Sequence, residues 1–133
     1  MTVTVVLTRA FEDSRRLSYQ MDELNISTLV MPLIEIEGFS SNLLYPVPPV
    51  QRDTIVIFIS SNAVRYGLPY LRQKVKLDAS IVWVAVGART RSALLEMGLQ
   101  AQCPVRTDSE GLLEMQIFTK IHRRHIVIVK GVG

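Results

Sequence analysis

Apolar and β-branched residues gather in short runs, separated by stretches with helical spacing. Val3–Thr8 and Thr28–Ile36 are nearly continuous apolar runs of the kind that forms buried strands. Between them the apolar residues recur at the spacing of one helix face, at Leu17, Met21 and Leu24. Asn25 follows where a residue in the left-handed conformation would end that helix. The opening therefore predicts a strand, a helix and a second strand.

The pattern then breaks over Gly38 to Asp53. This stretch holds Pro46, Pro48 and Pro49 together with small polar residues, a composition typical of an irregular connection. The sequence thus predicts a first domain over residues 1–37, a linker over 38–53 and a second domain over 54–133.

A second alternating stretch follows the linker. Its apolar runs predict four strands, at Ile55–Ile59, Ile81–Val86, Ala101–Cys103 and Ile126–Val129. Helices are predicted between them, the first containing Pro69, where a kink or restart is expected, and the next ending at Gly98. Strands that alternate with helices in this way predict an α/β fold, a parallel sheet with helices on both faces.

The last predicted helix begins at Thr107. Thr107 and Glu110 have the spacing of a capping box, with Thr107 as the cap and Glu110 reaching back to it. Leu113, Ile117 and Ile121 then line one predicted helix face.

Composition points to a soluble globular protein. The chain has 133 residues, of which 48% are hydrophobic, enough for a real core. The single cysteine, Cys103, fits a reducing cytosol, and Val3–Leu7 is too short to span a membrane and lacks the basic start of a signal peptide. A cytoplasmic protein with no membrane association is therefore expected.

The charge balance is mildly basic, at +3. Nucleic-acid binders concentrate such charge in a stripe with interleaved aromatic residues, whereas here the cations are scattered, so no nucleic-acid partner is expected. The cluster at residues 122–125 is explained by a solvated helix end. A mild positive field also suits a small polyanionic substrate.

Polar residues follow three of the predicted strands. Ligands of parallel α/β sheets collect outside the carboxyl ends of the strands, where helix N-termini present free N–H groups. The candidate binding residues at these ends are Arg9, Ser60, Ser61, Asn62, Gly87 and Thr90. Hydroxyl and amide side chains at such positions also cap helices without any ligand, and Gly87 has the alternative role of permitting a tight turn. Arg9 is the least expected at a helix start, because a cation there opposes the dipole unless an anion compensates it.

Other chemistries have little support. No metal-ligand spacing, nucleophile elbow, phosphate loop or catalytic triad is visible. The final Gly131-Val132-Gly133 resembles the start of a dinucleotide fingerprint, which keeps a nucleotide-binding α/β enzyme fragment open as an alternative. A non-catalytic α/β module that binds an anion or a partner protein is the other alternative.

Six segments, in order, resemble the motifs of uroporphyrinogen-III synthases. They are Leu7-Thr8-Arg9-Ala10, Pro32 to Glu37, Phe58 to Val64, Val86 to Gly98, Asp108 to Leu113, and Lys130 to Gly133. The departures are small: alanine replaces proline at Ala10, serine replaces threonine at Ser60, asparagine replaces glycine at Asn25, and lysine replaces arginine at Lys130.

The resemblance implies two flavodoxin-like domains with the substrate between them. Enzymes of this family convert hydroxymethylbilane, a linear tetrapyrrole, to uroporphyrinogen III with inversion of the last pyrrole ring, on the path to haem. They use no metal or organic cofactor. The resemblance implies hydrogen bonds to the substrate carboxylates, and also a tyrosine as the acid that helps the hydroxyl group leave. That tyrosine has no counterpart among Tyr19, Tyr45, Tyr66 and Tyr70, so the catalytic residues stay unassigned.

Family members are about twice as long as this chain, so the resemblance implies an incomplete first domain and a second domain without its last helix and strand. The chain alone is therefore expected to be inactive. In the implied sheet order, Ile126–Val129 becomes an apolar edge, which natural proteins avoid leaving bare. Val3–Thr8 is expected to lack its neighbour too, so that one strand covers the other. This predicts a rearranged domain within one chain or a strand-swapped homodimer between two, the dimer being favoured.

Overall fold

The computed structural model describes residues 3–38, 53–74, 76–119 and 125–131. Most of the predicted linker, Ile121, the basic residues 122–124 and Val132-Gly133 lie outside the described residues. The chain divides into two compact units, Met1–Glu37 and Gly38–Gly133.

The first unit is one strand–helix–strand motif. It comprises β1 (Thr4–Leu7), α1 (Phe11–Asp22) and β2 (Ser27–Val30), with β1 and β2 parallel and Thr4 opposite Ser27. Asn25 has φ 56°, which confirms the predicted left-handed helix end. The predicted second strand, Thr28–Ile36, is too long. The strand β2 ends at Val30, and beyond it the Met31 and Leu33 amides still donate to the carbonyls of Leu7 and Thr8, where β1 ends and the chain turns into α1.

The second unit alternates strands and helices around a three-stranded parallel sheet. In chain order its elements are β3 (Ile55–Phe58), a π-helix (Ala63–Gly67), α2 (Leu68–Lys74), β4 (Val82–Ala85), α3 (Ala88–Glu96), α4 (Ser109–Leu113), α5 (Gln116–Thr119) and β5 (Ile126–Val129). The strand order is β4-β3-β5. Gln102 adds a parallel bridge beside Val84. The strand predicted at Ala101–Cys103 is reduced to that bridge because the following Pro104 has no N–H with which to continue the ladder.

Both faces of this sheet are covered, which confirms the predicted α/β fold. On one face, the π-helix, α2 and α3 pack on the sheet through Val64, Leu68 and Leu94, none of which is accessible to solvent. On the other face, residues of α4, α5 and their connection pack on the sheet, namely Leu112, Met115, Ile117 and Phe118.

The helix around Pro69 restarts, as its sequence predicts. A helix running unbroken through this point would lose one backbone bond, since proline has no N–H. The π-helix ends at Gly67 and α2 starts at Leu68, so Pro69 falls in a first turn, where an N–H has no helical partner. Gly67 also permits close packing, because a Cβ there would overlap the side chain of Val129 on β5.

The prediction for the region after Pro104 is wrong in two respects. One continuous helix face through Leu113 and Ile117 was expected, but two short helices form and Leu113 is 72% exposed. The cap is also shifted by one residue, since the carboxylate of Asp108 accepts the Gly111 amide at 2.6 Å while Glu110 pairs with Arg106. Gly111 allows this turn, because a Cβ there would overlap the Arg106 carbonyl.

The end strands do not pair within this chain. β1 pairs with β2 and β5 pairs with β3, so the compact rearranged domain expected from Val3–Thr8 and Ile126–Val129 is wrong. The short β1–α1–β2 crossover already places a parallel partner beside β1.

No helix within the described ranges is long and apolar enough to cross a membrane.

Candidate functional site

The polar turns after β3 and β4 emerge at one edge of the second unit's sheet. Both strands run parallel and end in register, with Phe58 opposite Ala85, and the Val86 amide donates to the Phe58 carbonyl at 3.1 Å. Ser60–Asn62 and Gly87 therefore follow strand ends on the same side. We call this the carboxyl edge and define it by residues 59–62 and 86–90. It is where parallel sheets present ligand-binding groups.

Ser60 has a capping role in the turn after β3. Its hydroxyl accepts the Ala63 amide at 3.0 Å, which occupies one lone pair and leaves its proton available. Ser61 and Asn62 are half-buried, and their side chains make no hydrogen bond within the described residues. The capping explanation thus holds for Ser60 and not for its two neighbours.

Gly87 is the N-cap residue of α3. As a glycine it has no side chain with which to cap the helix. Its φ of −144° is extended backbone that any residue can adopt, so the tight-turn explanation for this glycine does not apply. A Cβ at Gly87 would make only ordinary contacts, 3.9 Å from Cβ and Cγ2 of Thr107. Neither conformation nor close packing requires glycine here, and its effect is to leave space above the strand end.

Thr90 lies in the first turn of α3, yet its side chain faces inward. The residue is 4% exposed, whereas the preceding Arg89 is exposed. Its backbone amide belongs to the helix start, but its hydroxyl has little access to a ligand.

Thr107 reaches the same edge and was missed by the sequence analysis. Gln102 runs parallel beside Val84, so the chain leaves the bridge toward the carboxyl edge and Thr107 lies against Gly87. The residue is exposed. Because Asp108 supplies the cap, the Thr107 hydroxyl has no hydrogen-bond partner in the part of the chain that the structure describes. The sequence did contain a signal for the Asp108 cap. Aspartate caps helices as well as threonine does, and Gly111 follows Asp108 at the three-residue spacing of a capped amide.

Hydrogen bonds and ion pairs of Arg106 and Asp108 hold the turn in which Thr107 lies. The Gly111 amide and then the Arg106 guanidinium lower the pKa of Asp108, because both stabilise its charged form. Arg106 also contacts Glu110 at 2.6 Å and Glu114 at 3.5 Å. These exposed ion pairs add little stability individually, but together they hold the segment in one arrangement.

Arg9 follows β1 in the first unit. Its guanidinium lies 3.5 Å from the carboxylate of Asp13, one helical turn onward, and its carbonyl accepts the Ser14 hydroxyl at 2.9 Å. Asp13 is therefore a counter-anion within the chain, and the dipole argument no longer requires a bound anion. The Arg9 side chain is nevertheless 66% exposed.

The carboxyl edge brings together neutral hydrogen-bond donors. They are the hydroxyl groups of Ser60 and Ser61, the Asn62 side-chain amide and the N-terminus of α3, which are the kinds of group that proteins use to bind carboxylates and oxyanions. No group of side chains able to hold a metal ion occurs in the four described segments.

Comparison with known proteins assigns the chain to one family. Residues 15–133 match the family model described as uroporphyrinogen-III synthase HemD. The crystal structure of uroporphyrinogen-III synthetase from Helicobacter pylori 26695 is similar, with a TM-score of 0.57 and 19% identity over 84% of this chain. At that identity the likeness shows a shared fold. The chain spans about half of that structure, 51%.

Proposed function

The chain belongs to the uroporphyrinogen-III synthase family, and from that premise we propose that its carboxyl edge binds hydroxymethylbilane for conversion to uroporphyrinogen III. In that reaction the linear tetrapyrrole loses its terminal hydroxyl group, the last pyrrole ring is inverted and the macrocycle closes. The chemical class is a lyase of tetrapyrrole and haem biosynthesis.

The observation that carries the proposal is that α3 starts after β4 at the same edge as the polar turn after β3. Hydroxymethylbilane carries several carboxylates, and the N-terminus of a helix favours negative charge. Ser61 and Asn62 emerge at the same edge, and their side chains make no hydrogen bond to the residues that the structure describes, so they supply further donors. Arg9 of the first unit is proposed to contribute a cationic contact, and Ser60 donates its remaining proton. For Thr90, the low exposure favours a contribution through its backbone amide.

Such a site acts on the substrate by holding its shape. Closing a ring requires the two ends of a flexible chain to meet, and fixing them in that geometry removes much of the entropic barrier. Donors directed at the carboxylates fix the ends without proton transfer. The proposal involves no metal or organic cofactor, and it assigns no residue as catalytic acid.

The isolated chain is proposed to bind the substrate without producing the type III isomer. It spans only about half of the similar H. pylori structure, so part of the surface that would enclose a tetrapyrrole there has no counterpart in it. Hydroxymethylbilane closes spontaneously to the type I isomer, so isomer analysis by chromatography separates the outcomes. We expect the isomer ratio of the no-enzyme blank. Type III product well above that blank would place the chemistry in these 133 residues.

A second assay tests the ligand class. We expect calorimetry to detect uroporphyrinogen III binding and to show no binding of NAD or ATP at the same concentration. Nucleotide binding without tetrapyrrole binding would overturn the proposed function. The protein is proposed to act in the cytoplasm, with no nucleic-acid partner.

We further propose that two copies of the chain form a strand-swapped homodimer. The support is the apolar strand β5, on which Ile126 and Ile128 are 42% and 59% exposed. Exposed apolar strands favour pairing with another chain. Sedimentation at micromolar concentration is expected to give a dimer. A monomer whose Ile126–Val129 amides exchange rapidly would show that the strand is left open.

A further inference from the structure

We infer that the Thr107 hydroxyl is a further substrate-binding group at the carboxyl edge, where it takes the place that Thr90 was expected to fill. This inference rests on the proposed function, because the ligand is the same polycarboxylate tetrapyrrole. It adds a donor from the loop before α4 to those that follow β3 and β4.

The first argument is position. The parallel bridge at Gln102 directs the chain to the carboxyl edge, and Cβ and Cγ2 of Thr107 lie 3.9 Å from the position that a Cβ at Gly87 would occupy. The ends of three parallel segments therefore contribute to the edge. The Thr107 hydroxyl is attached to the same Cβ, so rotation about χ1 can direct it at a carboxylate beside Gly87.

The second argument is availability. Thr90 is 4% exposed, whereas Thr107 is exposed and its hydroxyl has no hydrogen bond to any described residue. The Asp108 carboxylate performs the capping that would otherwise have occupied it. A hydroxyl released in this way can donate to a carboxylate.

The third argument is rigidity. Gly111 fits tightly under the Arg106 carbonyl, and Arg106 is paired with Asp108 and Glu110. Both residues flanking Thr107 are thus held in place. A donor on a fixed loop loses little entropy when a ligand binds.

The test compares uroporphyrinogen III binding to the full 133-residue chain and to three variants, measured by calorimetry under anaerobic conditions. Thr107→Val removes the hydroxyl at nearly constant shape, and Thr107→Ser keeps it. Thr119→Val is the matched control. The Thr119 hydroxyl is also exposed, but it donates a hydrogen bond to the Gln116 carbonyl within α5.

We expect Thr107→Val to weaken binding about five-fold, the equivalent of one hydrogen bond. Thr107→Ser should restore most of the affinity, and Thr119→Val should bind like the unaltered chain. Equal affinity for Thr107→Val and the unaltered chain overturns the inference while leaving the proposed function standing. Failure of the unaltered chain to bind uroporphyrinogen III overturns the proposed function itself. Circular dichroism of each variant verifies that the helix content of the chain is unchanged.

Discussion

Both units contain the strand–helix–strand motif, but they bury very different numbers of its residues. In the first unit, the described residues that are buried are Leu7 and Ser14. In the second unit, β3 alone places four consecutive residues in the interior. The difference arises because β3 lies between two strands with helices on both faces, whereas β1 and β2 have α1 packed on them and expose Val6 and Leu29 at about half their surface.

The comparison shows that covering both faces of a parallel sheet buries much more of its strands than packing a single helix on it. Most helical and strand stability comes from tertiary burial rather than from local propensity. In the second unit, both faces of the sheet are covered, so the carboxyl edge lies at the ends of buried strands. The first unit carries Arg9 on a motif with little core of its own.

The sharpest test of this contrast is deletion of core volume in each unit. Leu94 of α3 is fully buried, so Leu94→Ala should lower the free energy of unfolding by about 2–5 kcal/mol. Leu17 of α1 is only half-buried. Leu17→Ala, the matched change in the first unit, should therefore lower the free energy of unfolding by about 1 kcal/mol or less. Urea denaturation measures both, and equal losses would break the comparison.

The contact between Gly67 and Val129 tests how β5 is held in the second unit. Gly67→Val would push the Val129 side chain away, so we expect a loss of about 1–3 kcal/mol, typical of overpacking. Hydrogen exchange should accelerate first at Val127 and Val129. Gly131→Ala is the control, since a Cβ there meets nothing within 4 Å. If the two variants are equally stable, β5 is not anchored through this contact.

A smaller effect separates the helix starts of the two units. Asp108 caps α4 through its side chain, whereas the N-cap residue of α1, Ala10, makes no side-chain cap. Because the pKa of Asp108 is lowered on folding, its stabilising contribution is complete above the ordinary aspartate value of about 3.9 and is lost as pH falls through the folded value.

Asp108→Asn keeps a capping oxygen but does not titrate. The stability difference between the unaltered chain and this variant should therefore be constant near neutral pH and shrink below about pH 4. Thermal melts across pH 3–7 measure it. A difference that persists unchanged at the acid end would mean that the Asp108 charge contributes nothing.

The α/β class and the helices on both faces of the second sheet were predictable, because apolar runs that alternate with helix-spaced stretches are typical of a parallel sheet covered by helices. Asn25 and Gly98 were identified as helix ends for a local reason, the left-handed backbone that each adopts. The edge shared by Ser60–Asn62 and Gly87 followed from the parallel arrangement alone.

The cap at Asp108 was missed although its signal is local. Thr107 and Asp108 are both acceptable caps, and the choice is made by Gly111 under the Arg106 carbonyl. Other features could not be predicted because they depend on contacts between distant residues. The burial of Thr90 depends on how α3 is rotated over the sheet, which sequence spacing does not fix to one residue. The isolated β1–β2 pairing contradicted an expectation that treated β1 as unpaired.

The central claim is that the carboxyl edge of the second unit binds the tetrapyrrole. Titration of the isotope-labelled chain with uroporphyrinogen III, followed by amide resonances, tests it directly. We expect the amides of Ser61, Gly87, Arg89 and Thr107 to shift together, while those of Ile55, Val82 and Ile126 at the opposite edge stay in place. Shifts confined to the opposite edge, or no shift at millimolar ligand, would contradict the account.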